Sequence, residues 1–361
     1  MTVQSEELRK QNRVGWLMSM PAILLMFVFL ILPFLMAFGL SLTNQRLVSP
    51  NPTEFVGLEN YKRLLGIGIL VLEPETNSDG TIVKDDEGNN VFPSVRTYTR
   101  DAENYPQYNR MREWFRIPVS QAKEYVILVR DIVFIKALRN TIVFVLVVCP
   151  LQAGIALILA MLINQPLKGI NVFRTIYFIP VVISMVVVSI LWKFIYDGQN
   201  GLLNALFSMF SFGSFQPVDW LGNPSTALGS IIVMSVWQGV GFHMVIWLAG
   251  LQTIPIDRYE VARIEGASMW QTFRYITWPG LRNTAILVLV VITMQAFTLY
   301  PQIQVMTQGG PLDSTQSLVY QAVVKGYEKQ DISGGSAISV LLFIIVLSIS
   351  LFQRYITRER N

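Results

Sequence analysis

Two glutamines set among aromatic rings are the residues of this chain best suited to chemistry. Gln238 lies beside Trp237 and close to Phe242, and Gln295 precedes Tyr300, all within apolar runs. A primary amide offers donors and an acceptor, and a ring face accepts C–H groups. Together they suit a ligand with hydroxyls on one side and C–H on the other, such as a sugar or polyol. Helix neighbours recur at three and four residues, so Gln238 shares a face with Phe242, and Gln295 with Leu299. An amide in hydrocarbon needs a partner, so the two glutamines point either to an aqueous path or to bonds between helices. Trp237 suits packing or an interface more often than ligand contact. His243 is expected to be a satisfied interior polar group, and Cys149 a packing residue.

A second stretch, PIDRYEVARIEGASMWQTFRYITWP from Pro255 to Pro279, is polar and helix-forming between two apolar runs. Asp257 and Glu260 have the three-residue spacing of a capping box. The pattern predicts two short helices, roughly 258–265 and 268–276, with Gly266 allowing the turn between them. Ala262 and Ala267 permit close approach. So long and ordered a connection suits a docking element for a cytoplasmic partner.

Much chemistry is excluded. No G-x-x-x-x-G-K-[ST] loop occurs, so this chain cannot hold ATP in the P-loop manner. The apolar runs carry no paired carboxylates or lysines, so coupling to protons or sodium lacks its usual hardware. No nucleophile–base constellation and no His/Cys cluster for a metal is found. One cysteine, Cys149, forms no internal disulfide. The expectation is a non-enzyme with no catalytic residue and no cofactor of its own.

The elements that must position these residues are membrane helices. Hydrophobic residues make up 52% of the chain and charged ones 14%, where a soluble domain carries about 25% charged residues. Six charge-poor runs qualify as spans, near 14–42, 139–165, 175–196, 226–251, 283–307 and 335–353. Pro21 and Pro33 are expected bends of the first, Asn164–Pro166 ends the second, and Pro180 is expected to break the third early. Lys and Arg cluster at Arg9, Lys10 and Arg13, at Lys168 and Arg174, from Arg258 to Arg282, and at Arg354, Arg358 and Arg360. With six spans all four clusters fall on one side, which places both termini and 255–279 in the cytoplasm.

The domain expectation follows. Residues 1–13 are a cytoplasmic tail, 14–42 the first span, and 43–137 an outer loop holding a small insert at 66–131. Residues 139–356 are the core, with cytoplasmic helices within 257–276, and 357–361 are a second tail. In the outer loop, FVGLENYKRLL at 55–65 reads as an amphipathic helix, on the membrane surface or simply exposed. The DG and EGNN turns within 78–94 predict a small hairpin, and 119–131 is expected to be helical. Residues 202–210 read as a short amphipathic helix.

These residues together resemble the permeases of ABC importers. Glu260, Ala262, Gly266, Ile276 and Pro279 match the EAA loop of that family, with Val261 in place of its usual second alanine. TQGGP at 307–311 resembles the TxGGP signature of its sugar-uptake, maltose-permease-like branch, and FVGLENYKRLL the segment after its first span. The resemblance extends over nearly the whole chain except 66–131. It implies an all-α polytopic membrane protein of six transmembrane helices with the ABC-importer (MetI-like) permease fold and a small periplasmic insert.

Aligned on Trp237 with maltose-permease-like members, Ser235, Gln238, Gly239 and Phe242 fall at sugar-contact positions. Val181, Met185, Gln295, Ala296 and Leu299 do likewise. The Asn and Tyr side chains of those members are missing here, so the substrate need not be maltose. The resemblance also implies ATP and Mg on two partner ATPase subunits, with Glu260 meeting a basic group there. It implies a second homologous permease as heterodimer partner and a periplasmic or lipoprotein solute-binding protein. The setting would be a bacterial or archaeal inner membrane, with no nucleic-acid partner. The rivals are an ion-coupled secondary transporter, an importer permease for a non-sugar solute, and a non-transporting scaffold or receptor.

Overall fold

The computed structural model describes residues 2–120, 123–165 and 168–357. Pro166 and the orienting Arg358 and Arg360 lie outside them, as do most of the expected tail at 357–361 and part of the helix expected at 119–131. The chain divides into two units, Met1–Arg63 with Ala322–Leu341, and Leu64–Gln321 with Leu342–Asn361.

In the first unit, α1 (Thr2–Met26) passes through a π turn (Phe27–Ile31) into α2 (Leu32–Ser41). The π turn lies just before Pro33, whose missing N–H cannot complete the ladder there. Pro21 sits inside α1. The short α3 (Glu59–Leu65) is tied to the chain around it. The Asn60 amide donates to the carbonyls of Ser41 at 2.9 Å and Thr43 at 2.7 Å. Tyr61 reaches Ser41 at 2.6 Å. Arg63 pairs with Asp331 at 2.7 Å, and Thr43 bonds Ser333 at 3.0 Å. These polar ties fix one side of the segment, while Phe55, Leu58 and Leu65 stay exposed.

The second unit opens with the insert. Its sheet has order β1 (Ile67–Leu72), β3 (Lys123–Val129), β2 (Arg112–Ser120), antiparallel throughout. With α4 (Val95–Arg100) it closes a small core of Leu70, Leu72, Val95, Met111, Val126 and Leu128. The expected helix at 119–131 is therefore corrected. The run Tyr125–Val129 is rich in β-branched and aromatic side chains, and as the central strand it pairs on both edges. The expected hairpin is two small loops, bridged at Thr76–Ile82 and Lys84–Asn90.

Asp131 then caps α5 (Ile132–Ile163), accepting the Phe134 N–H at 3.1 Å. α5 continues through Pro150. α6 (Ile170–Val182) and α7 (Met185–Ile195) meet at 99°. Pro180 does not break the helix as expected. The break comes at Ile183 and Ser184, both extended, with ψ of 136°. After α8 (Leu202–Phe210) comes α9 (Ala227–Gln252). α9 packs along α5, where Trp247 donates to the Ala153 carbonyl at 3.1 Å. Gly241 lets it approach the α6 backbone at the Tyr177 carbonyl.

The connection after α9 holds α10 (Ile256–Ile264), α11 (Met269–Thr272), a π turn (Phe273–Thr277) and α12 (Trp278–Gly280). α13 (Arg282–Phe297) follows, shorter than the run at 283–307 suggested. The chain turns at Thr298 and restarts as α14 (Pro301–Met306), with Pro301 at the favoured first position. α15 (Leu318–Val323), a π turn (Val324–Glu328) and α16 (Ile332–Thr357) complete the chain. Among the described residues four helices are long and apolar enough to cross a membrane: Asn12–Ser41, Ile132–Ile163, Ala227–Gln252 and Ile332–Tyr355. Two bent pairs, α6 with α7 and α11–α12 with α13, bring the number to 6 if each pair is one span.

Candidate functional site

A cavity of about 490 Å³ opens between α5, α7, α9, α13 and α14. α9 supplies Ser235, Gln238, Gly239 and Phe242 to its wall. Their spacing of three, four and seven residues puts them on one helical face. Val181 and Met185 enter from either side of the α6–α7 break, and Gln295 and Ala296 from the end of α13. The structure thus gathers these eight expected positions around one space.

Three expected positions lie elsewhere. Trp237, next to Gln238, is rotated about 100° around α9 and lines a separate apolar hollow with Leu151, Ile176 and Val240. Its ring stands edge-on to Trp192 at 5.5 Å. Leu299 is 1% exposed, and its carbonyl accepts the Ser317 hydroxyl at 2.5 Å. Tyr300 pairs with the Tyr320 ring at 6.0 Å. For both, the end of α13 at Phe297 removes the helical phase that the sequence spacing assumed.

Residues that sequence reasoning missed complete the cavity: Phe144, Val148 and Gln152 of α5, and Thr298, Pro301 and Gln302 around the start of α14. Gln152 is 5% exposed within the otherwise apolar stretch of α5 from Ile142 to Ile163. Its amide nitrogen stands where a side chain at 239 would be, so Gly239 is what admits it. A lone amide within a long apolar run was the available signal. Two buried polar atoms on the cavity, Ser235 Oγ and Gln302 Oε1, have no hydrogen-bond partner among the described residues. Unsatisfied buried polar atoms are uncommon and call for a ligand or water. His243 is fully buried, and its Nδ1 lies 2.9 Å from the Gly239 carbonyl. A carbonyl only accepts, so Nδ1 carries the proton; Nε2 has no partner among the described residues.

The TQGGP loop braces this site. Thr307 and Thr315 share a 2.8 Å bond, and Thr315 donates to the Gly310 carbonyl at 2.7 Å. Lys136 and Asn140 of α5 donate to the carbonyls of Leu312 at 2.9 Å and Asp313 at 3.2 Å. The Thr141 hydroxyl accepts the Leu318 N–H at 3.0 Å. The residues just after the signature thus fasten the loop after α14 to the start of α5.

The segment from α10 to α12 is built on different lines. α10 ends in a Schellman turn: Gly266 N–H bonds the Arg263 carbonyl at 3.2 Å and Ala267 N–H that of Ala262 at 2.9 Å. Gly266 has φ of 73°, the left-handed region. The capping box expected at Asp257 and Glu260 is not formed. Pro255 occupies the cap position, so Asp257 falls inside the first turn. The box stands one helix later, where Ser268 accepts from Gln271 N–H and the Gln271 side chain from Ser268 N–H.

Tyr259 ties α10 to Thr277 at 3.2 Å. Glu260 and Pro279 are exposed, while Ala262 is buried within the segment itself. Ala262, Gly266 and Ile276 border a hollow of about 430 Å³ together with Arg258, Gln271 and Tyr275. Around it Ile264, Met269, Trp270 and Tyr275 are each at least 69% exposed.

Comparisons with known proteins bear on the family and the fold. Residues 152–360 match the family model described as the binding-protein-dependent transport system inner membrane component. The trehalose/maltose transport system permease protein of Thermococcus litoralis is 30% identical over 98% of this chain and 96% of its own. The lactose transport system permease protein of Rhizobium radiobacter is 33% identical over 64% of this chain and 78% of its own. A solved bacterial ABC transporter for import of the acidic polysaccharide alginate has the same fold, with a TM-score of 0.68, 18% identity and 98% of both chains covered.

Proposed function

The chain belongs to the inner-membrane components of binding-protein-dependent transport systems, and we propose that as the permease half of an ABC importer it passes a sugar or related polyol through the cavity at Gln152, Ser235, Gln238, Gln295 and Gln302. The carrying observation is the set of polar side chains, Gln152, Ser235, Gln238, Gln295 and Gln302, gathered on the wall of a cavity of about 490 Å³. That volume lies in the range of small-molecule sites. Hydroxyl groups would bond to these side chains, and Phe242 would cover a C–H face. The names of relatives that carry trehalose, maltose and lactose favour the same class.

In this reading energy enters from outside the chain. ATP and Mg belong to two partner ATPase subunits, and the chain itself is no enzyme. The α10–α12 segment is the docking element. Its exposed Ile264, Met269, Trp270 and Tyr275 would be covered by an ATPase cleft, with Glu260 facing a basic group there. The Schellman turn and the box at Ser268 make it stiff enough to transmit a rigid-body movement. A second, homologous permease and a solute-binding protein complete the machine. The positive clusters support a cytoplasmic position for α10–α12 and both termini, with the insert on the outer face.

Purification of the intact complex tests this. The expected result is an ATPase pair, a second permease and a binding protein carrying a sugar, with ATP-dependent uptake of that sugar into proteoliposomes. Replacing Gln302 by Leu is expected to lower the uptake rate about tenfold, roughly one hydrogen bond's worth, without changing the binding protein's affinity. Uptake driven by an ion gradient alone, or an unchanged rate in the Leu variant, would overturn it.

A further inference from the structure

The loop between α7 and α9 contains no charged residue from Gly198 to Val218. It is nevertheless fixed in place. Asn204 is 4% exposed. Its Nδ2 donates to the carbonyls of Asp197 at 3.3 Å, Gly198 at 3.0 Å and Val218 at 2.9 Å. Its Oδ1 accepts from Trp220 Nε1 at 2.8 Å and from Val218 N–H at 3.3 Å. Phe207 packs on Phe215 at 5.2 Å and on Trp220 at 6.0 Å.

On this pinned frame the largest apolar side chains point away from the protein. Met209 is 74%, Phe210 76% and Phe212 99% exposed. Leu202 and Leu206 continue the stripe, and 202, 206, 209 and 210 have the spacing of one helical face. Facing water, a rigid stripe of this kind would be unfavourable, because contiguous exposed apolar patches normally mark an interaction surface.

The flanking elements say what covers it. α7 belongs to a bent membrane pair and α9 is a membrane helix, so the loop joining them lies where hydrocarbon gives way to water. Trp192, Tyr196 and Trp220 form a run of rings beside it, at 5.1 Å and 6.4 Å, and exposed Lys193 ends α7. Trp, Tyr and Lys are the side chains enriched at that level of a bilayer. An amphipathic helix there lies in the interface plane with its apolar face among the acyl chains.

We propose that α8 and Phe212 are an interfacial anchor, with Met209, Phe210 and Phe212 seated at the boundary of lipid headgroups and acyl chains. The stripe carries no charge, so the partner is the apolar layer of the bilayer and not a particular headgroup. The rigid mounting through Asn204 would hold the break between α6 and α7, and with it Met185 at the cavity, at a fixed depth.

The test uses the assembled importer in liposomes of zwitterionic lipid. Cys149 is replaced by Ala, and nitroxide labels are placed one at a time by Met209→Cys, Phe210→Cys and Phe212→Cys. Gln199→Cys serves as the aqueous reference. Collision rates with oxygen and with a water-soluble nickel chelate are read by electron paramagnetic resonance. The expected result is an oxygen-to-nickel ratio several-fold above that at Gln199 for all three labels. A ratio equal to that at Gln199 places the stripe in water and overturns the proposal. Exclusion of both probes with an immobilised label places it against protein and overturns it equally. In a chain that keeps Cys149, a benzophenone side chain at Phe212 gives a second measurement. A lipid adduct by mass supports the anchor, and an adduct to another subunit refutes it.

Discussion

The cavity beside α9 and the segment after α9 break the same packing rule in opposite directions. Folded chains hide apolar groups and leave polar ones wet or paired. The cavity wall includes Ser235 and Gln302, whose buried Oγ and Oε1 have no partner among the described residues. The α10–α12 segment shows apolar ones, Ile264 at 85% and Met269 at 89% exposed. In the function proposed above, a small, hydroxyl-rich molecule would complete the first, and a protein surface the second. The scaffolding differs accordingly. Cavity side chains are held by packing between helices, whereas the segment is held by its own caps and turns and keeps its shape while waiting for a partner.

The contrast is sharpest in variants that remove one defect and leave the other. Glu260→Lys and Gly266→Val are expected to cut uptake and transport-linked ATP hydrolysis by the assembled importer more than about tenfold, with the chain still in the membrane. Gly266 sits at φ of 73°, which a β-branched residue takes up only at about 1–2 kcal/mol or more. Retained hydrolysis in both variants would remove the docking role. Gly239→Leu comes next. Its side chain would occupy the place of the Gln152 amide, and the overpacking is expected to cost about 1–3 kcal/mol. Uptake should fall about tenfold, while ATPase binding in a pull-down stays at the parental level.

Trp237→Leu should leave the uptake rate within about twofold, since only a ring contact worth about 1 kcal/mol is lost. A large loss would move the substrate path into the apolar hollow. The smallest effect concerns the insert. Arg116, bonded to Glu113 at 2.6 Å, holds that carboxyl below its usual range. A lowered folded value means stabilisation above the ordinary carboxylate range that fades as pH falls through the folded value. The pair is partly exposed, so Glu113→Gln should cost about 0.5 kcal/mol at pH 7. Melting curves of the two chains should converge near the acid end.

The spans were legible because bilayer thickness writes itself into apolar length. The α9 face was legible too, since Ser235, Gln238, Gly239 and Phe242 share a helical period. What the sequence hid is phase and partnership. Trp237 and Gln238 are neighbours in sequence yet serve different surfaces. Leu299 and Tyr300 lost their place because α13 stops at Phe297. Gln152 enters the cavity only because a glycine far along the chain faces it, and no local pattern carries that. The capping box went to Ser268 because Pro255 had already taken the first cap. The strand at Lys123–Val129 needed two pairing partners to win over a helix.

Pro150 sits between the two working parts of α5. Towards one end Lys136 and Asn140 are tethered to the loop at Leu312 and Asp313; towards the other, Gln152 rests against Gly239. A proline cannot donate to the carbonyl four residues back, so the rod is softest there. Between Asn140 and Gln152 lie about 18 Å of helix, and a flexure of about 10° at Pro150 moves a side chain two residues on by about 1 Å, enough to make or break a hydrogen bond. α5 therefore lacks a rung midway between two moorings, one at the 312–313 loop and the other where Trp247 and Gly239 of α9 hold it.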